Sequence, residues 1–163
     1  MSIAVYPGSF DPITLGHLNI IRRASRVFDQ LYVCVMVNSE KSPMFSLEER
    51  MDFIKRATER FPNVKAEYSS ELLVRYAKSK GASCIVKGLR AITDFEMEFQ
   101  MALTNKKLEP DIETLFLTAD EKYSYLSSSV VKEMAKYGAD LTHFLPHEII
   151  EDIVKKTQYG GKR

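Results

Sequence analysis

Short apolar segments alternate with segments of helical spacing along the chain. The segment 31–37 is a nearly unbroken apolar run, as is typical of a strand buried on both faces of a sheet. Other strand-like segments lie at 3–5, 64–68, 83–86 and 113–117, and helical spacing is found at 15–28, 46–60, 71–80, 93–108, 127–137 and from 146 onward. Strands that alternate with helices predict an α/β protein with a doubly wound, parallel, five-stranded, Rossmann-like sheet and C-terminal helices.

Polar residues and glycines predict where several helices begin and end. Ser46 with Glu49, and Thr93 with Glu96, have the spacing of a capping box at a helix N-terminus. Gly81 and Gly138 are expected directly after helix ends, where a left-handed backbone conformation favours glycine. Pro146 is expected at the first position of the last helix.

Length and composition favour a single globular domain spanning 1–163, with the last few residues disordered. The 23 lysines and arginines nearly balance 22 aspartates and glutamates, which argues against a large nucleic-acid surface. No apolar run has transmembrane length and residues 1–5 do not resemble a signal peptide, so no membrane partner is expected. Cys34 and Cys84 lie in apolar segments, which predicts reduced core cysteines and a cytoplasmic location.

The segment 6–18, YPGSFDPITLGHL, links the first strand to the first helix. Gly8 would let a bound group approach the backbone, and Ser9 adds a hydroxyl. Gly16 and His17 fall in the first helical turn, where unpaired N–H groups and the helix dipole favour an anion. An ordinary strand-to-helix connection is the alternative, but so many anion donors in one segment favour a phosphate site.

Other polar residues follow the remaining strands. In a doubly wound sheet the carboxyl ends of the strands share one crevice, where ligands bind. The loops facing that crevice contain Ser9, His17, Lys41, Lys87, Arg90 and Ser127–Ser129. Any one of these charges alone is best explained as a solvated surface group, whereas their convergence from four loops predicts a polyphosphate site.

Several motifs resemble those of known enzymes. Thr14–His17, TLGH, resembles the HxGH-type signature of the nucleotidyltransferase superfamily. Lys87–Ala91, KGLRA, and the following DFE-x-E resemble the RGLR and DFEYE segments of bacterial phosphopantetheine adenylyltransferases. The segments PMFSLEER at 43–50, YSYLSSSVVKE at 123–133 and THFLP at 142–146 are similar to further motifs of that family. The resemblance extends from Ile3 to about Ile153.

This resemblance implies a nucleotidyltransferase fold and an enzyme that transfers AMP from ATP to 4′-phosphopantetheine, giving dephospho-coenzyme A and pyrophosphate. It also implies Mg²⁺ bound with ATP, a homohexamer and feedback inhibition by coenzyme A. No metal site made of protein side chains is expected, since His143 and His147 lack the spacing of metal ligands.

The resemblance also assigns roles to individual residues. The implied catalytic residues are Ser9, His17, Lys41 and Arg90. The implied phosphopantetheine-binding residues are Ser9, Lys41, Leu73 and Lys87. The implied ATP-binding residues are Ser9, Phe10, His17, Gly88, Leu89, Arg90, Glu98, Tyr123, Ser124, Tyr125, Leu126, Ser127, Ser128 and Ser129. Without the family, Leu73 is best explained as a core residue, Glu98 as an exposed helix carboxylate and Ser127–Ser129 as a helix cap.

Three positions depart from the family pattern. Ser9 replaces a frequent threonine, Lys87 a common arginine and Tyr123 a frequent tryptophan. Lys87 keeps the charge but loses the bidentate geometry of arginine.

Other functions are possible for this sequence. The nearest alternative is a nucleotidyltransferase acting on nicotinamide mononucleotide or a cytidylyl substrate. A second alternative is a nucleotide-binding regulator without enzymatic activity. An aminoacyl-tRNA synthetase is disfavoured by the length of the chain and by the absence of a KMSKS-like loop.

Overall fold

The computed structural model describes residues 1–160, except for the side chains at 92, 93, 159 and 160. The chain end for which disorder is expected therefore lies outside the described residues. In the described part of the chain, five parallel strands form one sheet: β1 Ile3–Gly8, β2 Gln30–Met36, β3 Val64–Ser69, β4 Cys84–Leu89 and β5 Glu113–Thr118. Their order across the sheet is β3-β2-β1-β4-β5, which confirms the predicted doubly wound topology.

Within residues 1–160, six α-helices connect and follow the strands: α1 Leu15–Ala24, α2 Leu47–Thr58, α3 Leu73–Ser79, α4 Ile92–Leu108, α5 Ser128–Lys136 and α6 Ile150–Gly160. Short 3₁₀ turns at Glu121–Tyr123 and His147–Ile149 precede α5 and α6. Within the described part of the chain, no helix combines the length and the apolar content needed to cross a bilayer.

The central strands are buried on both faces, as the unbroken apolar run in β2 predicts. Ala4 and Tyr6 belong to the larger core with helices α1, α2, α5 and α6, whereas Val5 belongs to a smaller core that includes α3. This alternation follows from the two-residue period of a strand. Two cores of unequal size therefore cover the two faces of the sheet.

The pairing of β1 with β4 is short. β1 pairs with β2 along its whole length, from Ile3 opposite Gln30 to Gly8 opposite Val35. Its register with β4 includes only Ala4 opposite Cys84 and Val5 opposite Ile85. The two strands therefore separate before their carboxyl ends, and a crevice opens at the point where the strand order reverses.

The predicted helix boundaries are correct in some places and wrong in others. Ser46 and Glu49 form the predicted capping box of α2, and Gly81 and Gly138 adopt left-handed φ angles of 68° and 70° after α3 and α5. The capping box predicted at Thr93 is wrong, because Ala91 occupies the capping position, two residues earlier, and does so without a side-chain hydrogen bond. Spacing alone could not reveal that the chain is already helical there.

The last helix also begins differently from the prediction. Pro146 caps the 3₁₀ turn that leads into α6 and does not occupy a first α-helical position. A second capping box, which the sequence analysis missed, begins α1: Thr14 accepts a hydrogen bond from the backbone N–H of His17, and the His17 ring accepts one from the N–H of Thr14. This box orients the histidine of the TLGH motif.

Candidate active site

In the turn after β1, Phe10 packs against the histidine of the TLGH motif. Phe10 is buried and has a φ of 46°, an uncommon left-handed conformation for a bulky residue. Its ring centroid lies 4.9 Å from that of His17 and 5.4 Å from that of Tyr6. A Cβ atom at Gly8 would lie 3.1 Å from the Phe10 ring, so a larger residue here would require the ring to shift by a few tenths of an ångström. The sequence analysis expected Gly8 to allow a ligand to approach the backbone, and this geometry does not support that explanation.

The His17 ring is fixed in one tautomer. Its Nδ1 accepts the backbone N–H of Thr14 at 3.0 Å, and the His17 N–H donates to Thr14 Oγ1 at 3.3 Å. Because Nδ1 is an acceptor, the neutral ring has its proton on Nε2. Burial, and to a lesser extent the positive charge of Arg90, lower the pKa of His17 to about 4. At neutral pH His17 is therefore an uncharged N–H donor.

A pocket of about 280 Å³ lies beside this ring at the separated ends of β1 and β4; we call it the His17 pocket. The predicted site residues in its lining are His17, Lys87, Gly88, Arg90, Glu98, Tyr123, Leu126, Ser127 and Ser128. The rest of the lining consists of Thr14 and Gly16, which the sequence analysis named in the TLGH motif without assigning them a ligand contact, and of Tyr6, Pro7 and Ala119, which it missed. Residues from three distant segments, 6–17, 87–98 and 119–128, thus meet at one point of the sheet.

The charged groups of the His17 pocket have partners already. Lys87 Nζ lies 3.2 Å from Glu98 Oε2, with side chains only 26% and 24% exposed. Arg90 donates from Nε to Asp94 at 3.1 Å and from Nη1 to the carbonyl of Leu126 at 2.9 Å. The latter bond ties the end of β4 to the segment before α5, so Arg90 also positions the serine-rich loop.

A second pocket, of about 500 Å³, adjoins the first; we call it the Lys41 pocket. Predicted site residues in its lining are Ser9, Lys41, Ser128 and Ser129. Ser128 lines both pockets, at the N-terminus of α5, where first-turn N–H groups suit a phosphate. Its hydroxyl donates to the carbonyl of Pro12 at 2.8 Å, so its backbone is better placed than its side chain to serve a ligand.

The remaining predicted residues line neither pocket. Phe10 is buried beneath His17, and Leu73 packs against the smaller core at the start of α3. Leu89 ends β4, the Ser124 hydroxyl donates to the carbonyl of Glu121, and Tyr125 is exposed with its ring 6.4 Å from that of Phe144. For Leu73, the structure supports the core explanation that the sequence left open.

The Lys41 pocket also contains charged residues that the sequence analysis missed: Asp11, Arg50 and Lys132. Arg50 is buried and donates to the carbonyl of Ser9 at 3.0 Å, and Lys132 forms an ion pair with Asp11 at 3.0 Å. Asp11 is an acidic residue in a segment whose other residues suit an anion. This mismatch of charge is the one feature of the sequence that could have indicated a role for Asp11. Its partners are too distant in sequence to be inferred.

The described residues contain no group of three or more histidines, cysteines, aspartates or glutamates that could hold a metal ion. The carboxylates in the two pocket linings, Glu98 and Asp11, are both paired with lysines.

Comparison with known proteins identifies the family. Residues 5–134 match the model of the cytidylyltransferase-like family. The phosphopantetheine adenylyltransferase of Clostridium tetani is 56% identical over 157 residues, covering 96% of this chain and 98% of that protein. Those of Caldanaerobacter subterraneus subsp. tengcongensis and Lachnoclostridium phytofermentans are 52% and 50% identical, covering 96% and 100% of this chain and 98% and 99% of those proteins. The chain belongs to the phosphopantetheine adenylyltransferase family. It is therefore a nucleotidyltransferase enzyme.

Solved structures confirm the fold of this phosphopantetheine adenylyltransferase family member. The nicotinic acid mononucleotide adenylyltransferase of Plasmodium falciparum, complexed with NaAD, superposes with a TM-score of 0.70 at 15% identity, covering 99% of this chain and 98% of that one. A lipopolysaccharide core biosynthesis protein of Thermoplasma volcanium has a TM-score of 0.54 at 20% identity, covering 74% and 97%. At such identities the likeness shows the fold alone, so it does not favour the nicotinamide mononucleotide alternative.

The neutral state of His17 predicts a pH dependence in this phosphopantetheine adenylyltransferase family member. Its pKa falls from 6.5 to about 4 on folding, so between these values the unfolded chain binds a proton that the folded protein does not. The free energy of unfolding should therefore decrease as the pH is lowered from about 6.5 toward 4. Nitrogen-15 NMR of the imidazole should show the neutral Nε2–H tautomer at pH 6.

The variant His17→Gln is the control for both measurements. It should lose the assigned imidazole signal and show a shallower dependence of unfolding free energy on pH in this range. An imidazolium signal from His17 at pH 6 would show that the ring is charged and that its role as a neutral donor is wrong.

Proposed function

We propose that this enzyme transfers AMP from ATP to 4′-phosphopantetheine and releases dephospho-coenzyme A and pyrophosphate, a step in coenzyme A synthesis. The family membership supports the substrates. The observation that supports the chemistry is the junction of two cation-containing pockets at the first turn of α5. A reaction between two phosphorylated substrates requires such an arrangement, because their negative charges repel each other as they meet.

The proposed mechanism is a direct in-line transfer. A phosphate oxygen of phosphopantetheine attacks the α-phosphorus of ATP, and the bond from that phosphorus to the pyrophosphate oxygen breaks. A phosphate monoester is already an anion near neutral pH, so the attacking group needs no strong base. No covalent enzyme intermediate is required. Catalysis then consists of positioning and of stabilising the charge on the transferred and departing groups.

We assign the roles of the residues on this basis. His17, as a neutral Nε2–H donor, contacts the α-phosphoryl oxygen, and Ser9 helps to align the reacting phosphates. Lys41 neutralises charge where the two substrates meet. Arg90 and the N–H groups of Ser128 and Ser129 hold the β- and γ-phosphates.

Further contacts belong to the two substrates. Lys87 binds the phosphate of phosphopantetheine, and Leu73 lies along its pantetheine arm. Glu98 contacts the nucleotide. The remaining proposed nucleotide contacts are Phe10, Gly88, Leu89, Tyr123, Ser124, Tyr125, Leu126 and Ser127; Phe10 acts through the His17 ring that it supports.

The enzyme family generally uses ATP with a divalent metal ion, and we propose Mg²⁺. Because the two pocket carboxylates are paired with lysines, its ligands would be phosphate oxygens and water, with no dedicated protein cage. When bound with ATP, the ion supplies positive charge that stabilises the departing pyrophosphate.

Self-association is a further part of the proposal, as a homohexamer. Helix α4 exposes Phe95, Met97, Phe99, Met101, Leu103 and Leu108. Residues two apart lie on nearly opposite sides of a helix, so these side chains surround α4, and such a helix is typically covered by other protein. Charged residues are few along this stretch before Lys106, which favours a second copy of the same helix as the covering surface.

Regulation and location complete the proposal. Coenzyme A contains the same phosphopantetheine group as the product, so we propose it as a feedback inhibitor that competes for these pockets. We also propose a cytoplasmic location, supported by the free, buried state of Cys34 and Cys84.

The activity is tested by the products of the reaction. Incubation with ATP, Mg²⁺ and 4′-phosphopantetheine should release pyrophosphate and dephospho-coenzyme A in equal amounts, measured by a coupled assay and by mass spectrometry. The same enzyme should be inactive with nicotinamide mononucleotide as acceptor. Turnover of nicotinamide mononucleotide without turnover of phosphopantetheine would overturn the proposed substrate.

The role of Lys87 is tested by calorimetry with each substrate separately. Lys87→Ala should weaken phosphopantetheine binding by roughly tenfold or more, since a charge-assisted contact is lost, and should weaken ATP binding less, through the Glu98 carboxylate that is left unpaired. Lys87→Arg should retain binding. Lys80→Ala is the matched control, because Lys80 forms a similarly half-buried ion pair with Glu67 outside both pockets. If Lys87→Ala weakens ATP binding and spares phosphopantetheine, this residue binds the other phosphate.

The assembly is tested by sedimentation equilibrium. The wild type should have the mass of a hexamer of 18.7 kDa chains. Met97→Lys combined with Leu103→Lys should dissociate it, because burying two ammonium groups without partners is costly. Val27→Lys, at an exposed apolar residue after α1, should not change the mass. A hexamer that survives the double substitution would show that α4 is not the interface.

A further inference from the structure

A single buried carboxylate joins three segments at the Lys41 pocket. Asp11 Oδ1 accepts the backbone N–H of Phe45 at 2.9 Å. Its Oδ2 accepts the N–H of Met44 at 3.0 Å and a donor of the Lys132 ammonium, also at 3.0 Å. Asp11 therefore holds the loop that contains Lys41 and the middle of helix α5 against the turn after β1.

Lys132 lies one helical turn after the serines at the start of α5. Its side chain is 26% exposed, against 8% for Asp11, and it lines the Lys41 pocket with Ser9 and Lys41. An ammonium group has three N–H donors, so the bond to Asp11 leaves others for a ligand in the pocket. Arg50, a buried cation in the lining of the same pocket, already donates to the carbonyl of Ser9.

We propose that Lys132 binds a phosphate group of the substrates in the Lys41 pocket, and that Asp11 is the positioning residue that aims Lys132 and fixes the loop of Lys41. This inference rests on the proposed function, which supplies the phosphates. The chemistry is that of a phosphate dianion held by an ammonium group, and either ATP or phosphopantetheine could provide it.

The pair has an electrostatic consequence that a purely structural contact would not have. Loss of the Lys132 charge removes a phosphate contact and also leaves the Asp11 carboxylate uncompensated beside the pocket, where it repels phosphate. Neutralising Asp11 in the same molecule removes this repulsion. The double variant Asp11→Asn/Lys132→Met should therefore bind phosphate better than Lys132→Met alone.

The experiment measures the binding of ATP and of 4′-phosphopantetheine separately by calorimetry, together with kcat and KM. Lys132→Met should weaken binding of at least one substrate roughly tenfold or more, and Lys132→Arg should restore most of it. The weakened ligand identifies the source of the phosphate. The double variant should recover about threefold or more of the loss, in line with the usual coupling between contacting residues.

Two control variants remove the same charges elsewhere. Lys55→Met lies on the exposed side of α2, and Asp52→Asn breaks a surface ion pair with Arg56. Both should bind and turn over the substrates like the wild type. Thermal unfolding verifies that each variant is folded, and Lys132→Gln replaces Lys132→Met in the same comparison if the latter unfolds.

Two results would overturn the inference. One is a folded Lys132→Met that binds both substrates within about twofold of the wild type, well short of the tenfold expected for a charged contact. The other is a double variant that binds more weakly than Lys132→Met, which would show that Asp11 only stabilises the fold. A wild type that binds ATP but releases no pyrophosphate would overturn the proposed function, while the calorimetry still decides whether Lys132 binds phosphate.

Discussion

The early separation of β1 from β4 is the constraint on which the site depends. Their pairing includes only Ala4 with Cys84 and Val5 with Ile85, while β1 remains paired with β2 as far as Gly8. The two central strands therefore end apart, at the point where the strand order reverses. The loops that follow β1 and β4 therefore lie on opposite sides of a gap and do not pair with each other. The His17 pocket occupies that gap, and the Lys41 pocket adjoins it through α5.

Three cations at this crevice are held by carboxylates of the protein. Lys87 is paired with Glu98, Arg90 with Asp94 and Lys132 with Asp11. Such pairs hold long side chains in one arrangement and reduce the mutual repulsion of several positive charges. Because each carboxylate would repel a phosphate if its partner were lost, the pairs also make the site sensitive to the charge of individual side chains.

His17 is controlled in the same way but by neutral groups. The N–H of Thr14 occupies Nδ1, and Phe10 packs against the ring from an uncommon left-handed conformation. Burial then keeps the imidazole uncharged at neutral pH. A capping box that would ordinarily only begin a helix thus also selects the tautomer of a residue that lines the candidate site.

The amino-acid sequence by itself determined the fold class, the approximate strands and helices, the Ser46 capping box and the family, because these depend on short-range periodicity and on contiguous motifs. It also indicated the loops that contribute to the crevice, since parallel strands end at one edge. It misplaced the capping residue of α4 and did not separate the two pockets. Only the tertiary structure decided the partners of the charged residues: Asp11 and Lys132 are 121 positions apart, and Arg50 and Ser9 are 41 apart. No local pattern encodes such pairs, because they form when helices α2 and α5 pack against the same side of the sheet.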